Sequence, residues 1–399
     1  MFRAALTLLS SVREMLTEQA RATPLEGACA VVIGTGIAVI LARWLVVRFA
    51  PIAAGSGVQH VEAVMRGESQ PAGLAVVPVK FFGGLLAIGA GLPLGREGPT
   101  VQMGAVVGDT LAALIVSDPE TRPAVEAAGA GAGLAVAFNA PLGGTVFVFE
   151  ELTRNFVPRQ VLAALAAASV AMAIMRLGLG EQALFAAGTA SDQPLAQLPF
   201  HFALGAVLGL VGAGYGWLTT AFLDVVEWMR RVPSLLKAGV IGMIVGLTGW
   251  FLPNLIGGGE TLAQHILSTP PAWDSLLLIL AVRILLGPLA YAAGAPGGLF
   301  APLLVIGAAS GALCAGVLAL YWPALAPSPL VLSVVGMAAM FTAVVRAPLT
   351  GIVLTIEMTG RADCTLAMLT ACLAATLSAS VVGSRPVYDV LRERMLKRV

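Results

Sequence analysis

Charged side chains are scarce in this chain of 399 residues. Aspartate, glutamate, lysine and arginine make up 11% of it, whereas soluble proteins contain about 25%. Hydrophobic residues make up 58%, so the composition excludes an ordinary soluble domain and indicates a protein that crosses a membrane several times. The formal net charge of +1 also argues against a nucleic-acid partner.

Cysteine and histidine are also scarce. The four cysteines lie in apolar tracts without paired spacing, and the three histidines lie in different elements without the spacing of metal ligands. The residues concerned are Cys29, Cys314, Cys364, Cys372, His60, His201 and His265. Neither a disulfide framework nor a metal or cofactor site is therefore expected. A membrane-embedded enzyme is a weak alternative, since it would need a nucleophile with its base, or metal ligands, at membrane depth.

Apolar runs of spanning or half-spanning length dominate the chain. A straight helical crossing takes about 20 apolar residues, and several runs are too short for one. Continuous runs indicate helices rather than barrel strands, in which apolar and polar residues would alternate. The sequence therefore predicts an all-α polytopic membrane protein. The runs are 27–49, 80–95, 98–116, 124–149, 160–176, 199–223, 238–256, 275–293, 298–320, 328–345, 347–356 and 364–383.

The first segment, residues 1–26, is predicted to be amphipathic. Apolar residues recur in it at helical spacing, which is typical of a helix at the membrane surface. A cleaved signal is not expected, because charges interrupt the segment and no long apolar centre precedes a small-residue cleavage site. The apolar stripe consists of Leu6, Leu9, Val12 and Leu16. The interrupting charges are Arg13, Glu14 and Glu18.

Stretches interrupted by glycine and proline occur in the same order in both halves of the chain. Interrupted segments at corresponding places of two repeats are the best sequence indication of a binding site near the membrane midplane. The residues alone do not reveal whether the repeat is parallel or inverted. The matched stretches, at offsets of 202, 203 and 207 residues, are Gly55-Ser56-Gly57 with Gly257-Gly258-Gly259, Glu97-Gly98-Pro99 with Phe300-Ala301-Pro302, and Ala140-Pro141-Leu142 with Ala347-Pro348-Leu349.

The chemistry of these stretches suits an anion. Helix N-termini carry a partial positive charge and unpaired N–H donors, so several of them meeting at one point bind an anion without a full cation. The stretches offer the Ser56 hydroxyl and the backbone amides near Glu97 and Phe300, and Glu97 is their single acidic side chain. A sodium-coupled carrier would need converging carboxylates and carbonyls instead.

Glu97 lies in Gly-Arg-Glu-Gly-Pro, residues 95–99, inside an apolar segment. An ionisable group at membrane depth indicates a functional site, because burial penalises its charged form. A structural ion pair with Arg96 is the alternative, although adjacent residues on a helix do not face each other. Because a carboxylate is itself an anion, Glu97 is predicted to occupy the substrate site when ionised and to leave it on protonation.

Two interpretations stay open at the level of spacing. Glu150 and Glu151 either deliver protons from the other side or mark the polar end of a membrane helix. Tyr388 lies in the first turn of a predicted final helix, and on spacing alone it is more typical of an aromatic residue at the membrane interface.

Several motifs in order resemble the CLC family of chloride channels and chloride/proton exchangers, from about residue 27 to residue 393. The motifs are Gly55-Ser56-Gly57-Val58-Gln59, Gly-Arg-Glu-Gly-Pro at 95–99, Phe-Asn-Ala-Pro-Leu at 138–142, Gly298-Leu299-Phe300-Ala301-Pro302, Arg-Ala-Pro-Leu-Thr-Gly at 346–351 and Arg385-Pro386-Val387-Tyr388. Two departures stand out. Gln59 replaces the proline of the serine motif, and only a short stretch precedes 27–49, where the family usually has a full membrane helix.

The resemblance implies a CLC-type fold of inverted repeats whose broken helices meet at a midplane anion site. It also implies a homodimer with one anion pathway in each subunit. Glu97 would be the external gate and proton carrier, and Glu151 the internal proton glutamate. Tyr388 would become a central ligand rather than an interfacial residue. The anion-binding residues carried over are Ser56, Gly57, Arg96, Glu97, Gly98, Leu299, Phe300 and Tyr388.

The activity that the resemblance implies is chloride/proton exchange, and the presence of Glu97, Glu151 and Tyr388 favours it over an uncoupled, channel-like member of the family. Bromide and nitrate are expected to be accepted besides chloride.

The expected setting is the lipid bilayer of a bacterial inner membrane. The expected organisation is an N-terminal segment (1–26), a first transmembrane repeat (27–180), a second repeat (181–383) and a short C-terminal helix (384–399), without a regulatory domain.

Overall fold

The computed structural model describes residues 1–115, 118, 121–180, 184–188 and 194–397. Among them, regular structure is helical, and bridges between extended segments are confined to Gly55 with Pro296 and Gly95 with Gly298. The predicted all-α class is confirmed. The predicted boundary between the halves, after residue 180, adjoins residues outside the described part of the chain, as do the last residues of the predicted run 98–116 and segment 384–399. The limits of the predicted domains stay a prediction.

Seventeen α-helices occur in the described residues, and seven helical segments are long and apolar enough to cross a membrane. The helices are α1 (Phe2–Ala20), α2 (Pro24–Phe49), α3 (Val58–Met65), α4 (Val76–Gly89), α5 (Glu97–Ile115), α6 (Arg122–Phe138), α7 (Pro141–Phe147), α8 (Pro158–Leu179), α9 (Leu198–Trp228), α10 (Ser234–Phe251), α11 (Glu260–Ser268), α12 (Trp273–Tyr291), α13 (Phe300–Tyr321), α14 (Pro329–Val345), α15 (Pro348–Thr359), α16 (Thr365–Val381) and α17 (Val387–Leu396). A single π-helical turn, Val148–Leu152, continues α7.

Each half contains a helix break with the same backbone conformation. α6 is followed by Asn139 at a left-handed φ of 57°, and α14 is followed by Arg346 at a φ of 69°. Pro141 and Pro348 then begin α7 and α15, because the fixed φ of proline suits the first helical turn and its missing N–H needs no partner there. The predicted apolar run 124–149 therefore comprises two helices that are separated at the predicted Ala140-Pro141-Leu142 stretch, since proline at this point ends the hydrogen-bond ladder of α6.

The N-terminal segment is helical, but its buried face differs from the predicted stripe. Phe2 and Leu6 of α1 are buried, and the Phe2 ring lies 5.4 Å from the Phe81 ring of α4. Leu16, at the end of the stripe, remains 58% exposed. Packing against α4 thus buries Phe2 and Leu6, and Leu9 lies against Gly89 of α4, whereas Leu16 faces outward.

Glycines allow the helix that ends at each break to touch the preceding helix backbone to backbone. A Cβ atom on Gly104 of α5 would lie 2.2 Å from the Gly129 carbonyl oxygen of α6. A Cβ atom on Gly307 of α13 would lie 2.2 Å from the Gly336 carbonyl oxygen of α14. Small residues permit such close approach inside a membrane, where packing rather than the hydrophobic effect holds helices together. The same contact thus fixes the break in each half.

We expect Gly307→Ala to lower the temperature of thermal unfolding, because its methyl group would collide with the Gly336 carbonyl and overpacking costs about 1–3 kcal/mol. Gly316→Ala, on the same helix, is the matched control, because nothing lies within 4 Å of its Cβ position. Thermal unfolding of the two purified variants, followed by tryptophan fluorescence, measures the difference. A Gly307→Ala protein as stable as Gly316→Ala would contradict this packing.

Candidate anion site

The interrupted stretches of the two halves meet at one place. Gly95 and Gly298 exchange backbone hydrogen bonds, each with an N···O distance of 2.7 Å. The Gly297 N–H donates to the Gly55 carbonyl at 3.0 Å. These bonds join segments about 200 residues apart in sequence, so the breaks converge as the repeat predicts. The starts of α5 and α13 lie on either side of this junction.

Two buried hydroxyl groups, those of Ser56 and Tyr388, lie at this junction. A Cβ atom on Gly98 would lie 2.2 Å from Ser56 Oγ, so the start of α5 touches the serine. Tyr388 of α17 faces Ser56, and its ring meets the Phe300 ring edge-on at 5.7 Å. The two hydroxyl groups interact with each other, but neither oxygen has a hydrogen bond of favourable geometry within the described part of the chain. Leaving buried hydroxyls unsatisfied costs free energy, so this point is suited to a polar ligand.

The start of α13 supplies free backbone donors. No acceptor is assigned to the Leu299 or Phe300 amide among the described residues, and no side chain caps the helix. The helix behind them has 22 residues, so its N-terminus carries the partial positive charge of the peptide dipoles. The Phe300 ring is fixed by the rings of Phe138 and Phe341, at 6.1 and 5.0 Å. An anion could therefore bind these amides without any rearrangement of the helix start.

Glu97 is the first residue of α5 and is fully buried. A Cβ atom on Gly95 would lie 1.8 Å from Glu97 Oε2 and 3.1 Å from the Ala301 nitrogen. The carboxylate therefore fills the gap between Gly95 and the start of α13. Neither of its oxygens has a hydrogen bond with favourable geometry. Glu97 thus lies at the predicted position and next to the amides that would attract an anion.

Arg96 belongs to the scaffold around the site. Its guanidinium donates to the Ala137 carbonyl at 3.0 Å and pairs with Glu260 of α11 at 3.0 Å. The alternative of a structural ion pair between Arg96 and Glu97 is therefore wrong, because Glu260 takes that place. A direct contact of Arg96 with a bound anion stays a prediction.

Two buried cations near the glycine loops were not predicted from the sequence as site residues. Lys80 Nζ donates to the Gly55 carbonyl at 2.7 Å and to the Ser56 carbonyl at 2.9 Å. Arg283 donates to the carbonyls that precede α11, including that of Gly257 at 2.6 Å. The two residues are 203 positions apart, which is the offset of the repeat. A lone cation in each apolar run, at the repeat offset, is the signal that could have identified them.

Glu151 lies in a cluster of buried charges. Its Oε1 atom has no partner in the described residues, and its Oε2 atom lies 3.7 Å from Arg154. Arg154 also pairs with Glu62 at 3.4 Å and with Asp389 at 3.0 Å. The cluster contains four carboxyl groups (Glu62, Glu68, Glu151, Asp389) and three guanidinium groups (Arg66, Arg154, Arg392). One carboxyl group therefore lacks a cation, a condition that favours a bound proton.

Glu150 has a different position from its neighbour Glu151. Its carboxylate accepts hydrogen bonds from the Leu349 and Thr350 amides at the start of α15, at 2.9 and 2.6 Å. Glu357 of α15 accepts in the same way from the first amides of α7, at 3.1 and 2.7 Å. Each half thus caps a helix of the other half with a carboxylate, which the helix dipole favours. Of the two adjacent glutamates, Glu150 caps a helix start and Glu151 does not.

The fold and the site together define a polytopic membrane protein with a buried anion site where broken helices of two repeats meet. The family model described as voltage gated chloride channel matches residues 38–380. The chain belongs to this family.

Proteins of known activity are similar to the chain over most of its length. It is 39% identical over 360 residues to the H(+)/Cl(-) exchange transporter ClcA of Vibrio cholerae serotype O1 (strain M66-2), with 89% of this chain and 77% of the relative covered. It is 36% identical over 374 residues to ClcA of Vibrio parahaemolyticus, covering 92% and 80%. The structure of a slow cyanobacterial Cl-/H+ antiporter matches with a TM-score of 0.93 and 33% identity, covering 99% of this chain and 94% of that one. The predicted CLC-type inverted-repeat fold is confirmed.

We expect Glu150→Ala to lower the stability of the protein by about 1–2 kcal/mol, the usual effect of losing a helix cap. Glu150→Gln should retain most of the stability, because its amide oxygen still accepts one hydrogen bond. Glu18→Ala, which removes a carboxylate with 81% side-chain exposure on α1, is the control. The measurement is thermal unfolding of each variant. Equal stability of the Glu150→Ala and Glu18→Ala proteins would argue against the cap.

Proposed function

We propose that this chain exchanges chloride for protons across the membrane. The observation that carries the proposal is the set of buried, unpartnered polar groups at the junction of the broken helices. They are the hydroxyls of Ser56 and Tyr388, the amides of Leu299 and Phe300, and the carboxylate of Glu97. The printed names of the relatives, which are exchange transporters and a Cl-/H+ antiporter, support the same activity.

The donors and the surroundings suit chloride. Ser56 and Tyr388 offer two hydroxyl protons, and the start of α13 offers amide protons with the positive end of its dipole. Lys80, the buried cation beside Ser56, donates to the carbonyls of Gly55 and Ser56, so we propose that neutral donors supply most of the contacts to the anion. Binding can therefore be strong enough for selectivity and still weak enough for release. Bromide and nitrate carry the same charge, and we propose that they are also accepted.

Glu97 acts as the gate by competing with the anion. When ionised, its carboxylate interacts with the unpaired N–H groups at the helix starts as a bound anion would, and it blocks the pathway. When protonated, it loses its attraction to the positive helix ends and leaves the place to chloride. One proton is thus taken up as the pathway opens, and this step couples the two ions.

Glu151 supplies protons from the opposite side. The cluster around it has one more carboxyl group than guanidinium groups, so a proton can be held there and passed on. Arg154 and Asp389, which are partly exposed, connect this cluster with the surface. An uncoupled channel would have no need of a protonatable group at this place, and this favours exchange over the channel-like alternative.

The transporter is proposed to work as a homodimer in a bacterial inner membrane, with one pathway in each subunit. The bacterial origin of the ClcA relatives supports the location. Catalysis of a chemical reaction is not part of the proposal, since the family transports ions.

The deciding experiment reconstitutes the protein in liposomes with a chloride gradient and records the pH outside while chloride moves. We expect chloride flowing down its gradient to drive protons against theirs, and a reversed chloride gradient to reverse the proton movement. Chloride flux without proton movement would rule out the exchanger and leave the channel-like alternative.

We expect Glu97→Gln and Glu151→Gln each to abolish proton movement while chloride still moves. The first variant replaces the gate by a group that cannot bind or release a proton, and the second removes the proton donor of the opposite side. Glu150→Gln is the matched control for Glu151, because the adjacent carboxylate caps α15 and should leave coupling unchanged. The measurement is the ratio of proton to chloride flux in liposomes. Retained coupling in either variant would exclude that residue from the proton pathway.

A further inference from the structure

The loop before α3 differs from the start of α13 in how its amides are occupied. The Gly57 N–H donates to Oε1 of Gln59 at 3.1 Å. The Ser56 N–H donates to the Tyr291 hydroxyl at 3.3 Å, and the Gly55 N–H donates to the Ala295 carbonyl at 3.2 Å. All three N–H groups of the loop therefore have acceptors within the protein, whereas the first amides of α13 have none.

The two side-chain acceptors lie against the loop and against each other. A Cβ atom on Gly55 would lie 2.7 Å from the Tyr291 hydroxyl oxygen, so only glycine lets the tyrosine ring approach this closely. The Tyr291 hydroxyl also interacts with the Gln59 side chain. Proline at position 59 could offer no side-chain acceptor, so the bond to Gly57 is specific to the glutamine in this chain.

A cavity of about 580 Å³ reaches the loop from one side. Gly55, Gln59 and Tyr291 line its inner end. Its charged lining residues are Arg43, Glu227, Lys237 and Arg394. Arg394 pairs with Asp224 as well as with Glu227, so these residues together carry a net charge of +1, and a surface of net positive charge raises the local concentration of anions. An anion in the cavity therefore meets Gln59 and Tyr291 before it reaches Ser56.

We propose that Gln59 and Tyr291 form an amide latch on the cavity side of the anion site. While the site is empty, their oxygens hold the N–H groups of Gly57 and Ser56. An arriving anion has to take over these donors, so part of its binding free energy is spent on breaking the two bonds. The latch weakens binding from the cavity side, eases release toward it, and thereby determines the selectivity and rate of that half of the transport cycle. This inference rests on the proposed anion transport.

The test is the equilibrium dissociation constant of chloride, measured by titration calorimetry on the purified full chain. We expect Tyr291→Phe and Gln59→Leu each to tighten chloride binding by roughly three- to ten-fold, the equivalent of one neutral hydrogen bond. Phenylalanine keeps the ring of Tyr291 without its hydroxyl group, and leucine is close to glutamine in size but lacks its carboxamide group. If one of them fails to fold, the other carries the same test.

Two matched controls separate the latch from general effects. Tyr215→Phe removes a buried hydroxyl that packs on Gly287 of α12 and has no hydrogen-bond partner in the described chain. Gln264→Leu removes a glutamine of α11 that also accepts a backbone bond, from the Ala186 N–H at 2.8 Å. Both controls should leave the chloride dissociation constant unchanged.

Chloride binding that is unchanged or weaker in Tyr291→Phe and Gln59→Leu would overturn the latch, and weaker binding would indicate that the two side chains are direct ligands. The readout is separate from the proposed exchange, because equilibrium binding needs no proton movement. Tighter binding without coupled transport would leave the latch standing and overturn the exchanger. Coupled transport without tighter binding would do the reverse.

Discussion

Every backbone N–H buried in a membrane needs an acceptor, because no water reaches it, and a helix start leaves several of them without one. This constraint organises the structure around its breaks. The N–H groups of Gly95 and Gly298 each donate to the carbonyl oxygen of the other residue. Glu150 and Glu357 cap the helix starts of the opposite halves. Among the described residues, no acceptor is assigned to the first amides of α13, and we propose that these amides bind a small anion.

Position in sequence was enough to identify the breaks and the groups that converge on them. Glycine and proline at a repeated offset predicted where the chain interrupts its helices, and a carboxylate in an apolar run predicted Glu97. The break before Pro141 was identified because Ala-Pro-Leu recurs at the repeat offset, whereas hydropathy alone shows 124–149 as one apolar run. The family resemblance, rather than spacing, placed Tyr388 beside Ser56.

Pairings between distant residues could not be predicted in this way. Lys80 meets the carbonyls of Gly55 and Ser56, and Tyr291 meets the Ser56 amide, only because the two halves fold against each other. A buried cation in an apolar run indicates that the cation has a hydrogen-bond partner, but it does not identify the partner residue. The bond from Gly57 to Gln59 is local, yet its proposed role depends on the cavity beside it, to which five other parts of the chain contribute.

The repeat also has a consequence for how the two faces of the membrane differ. Its backbone treats the two halves alike: Glu97 and Phe300 begin corresponding helices, and Ser56 and Gly258 occupy corresponding loops. A Cβ atom on Gly258 would meet nothing closer than 3.5 Å, so the second loop has room for a serine that it lacks. The two faces of the membrane therefore differ mainly in a few side chains, which are carried by two repeats of similar backbone structure. Differences at a few such pairs are enough to give the two faces of the membrane different gates, while the ion gradients still set the direction of transport.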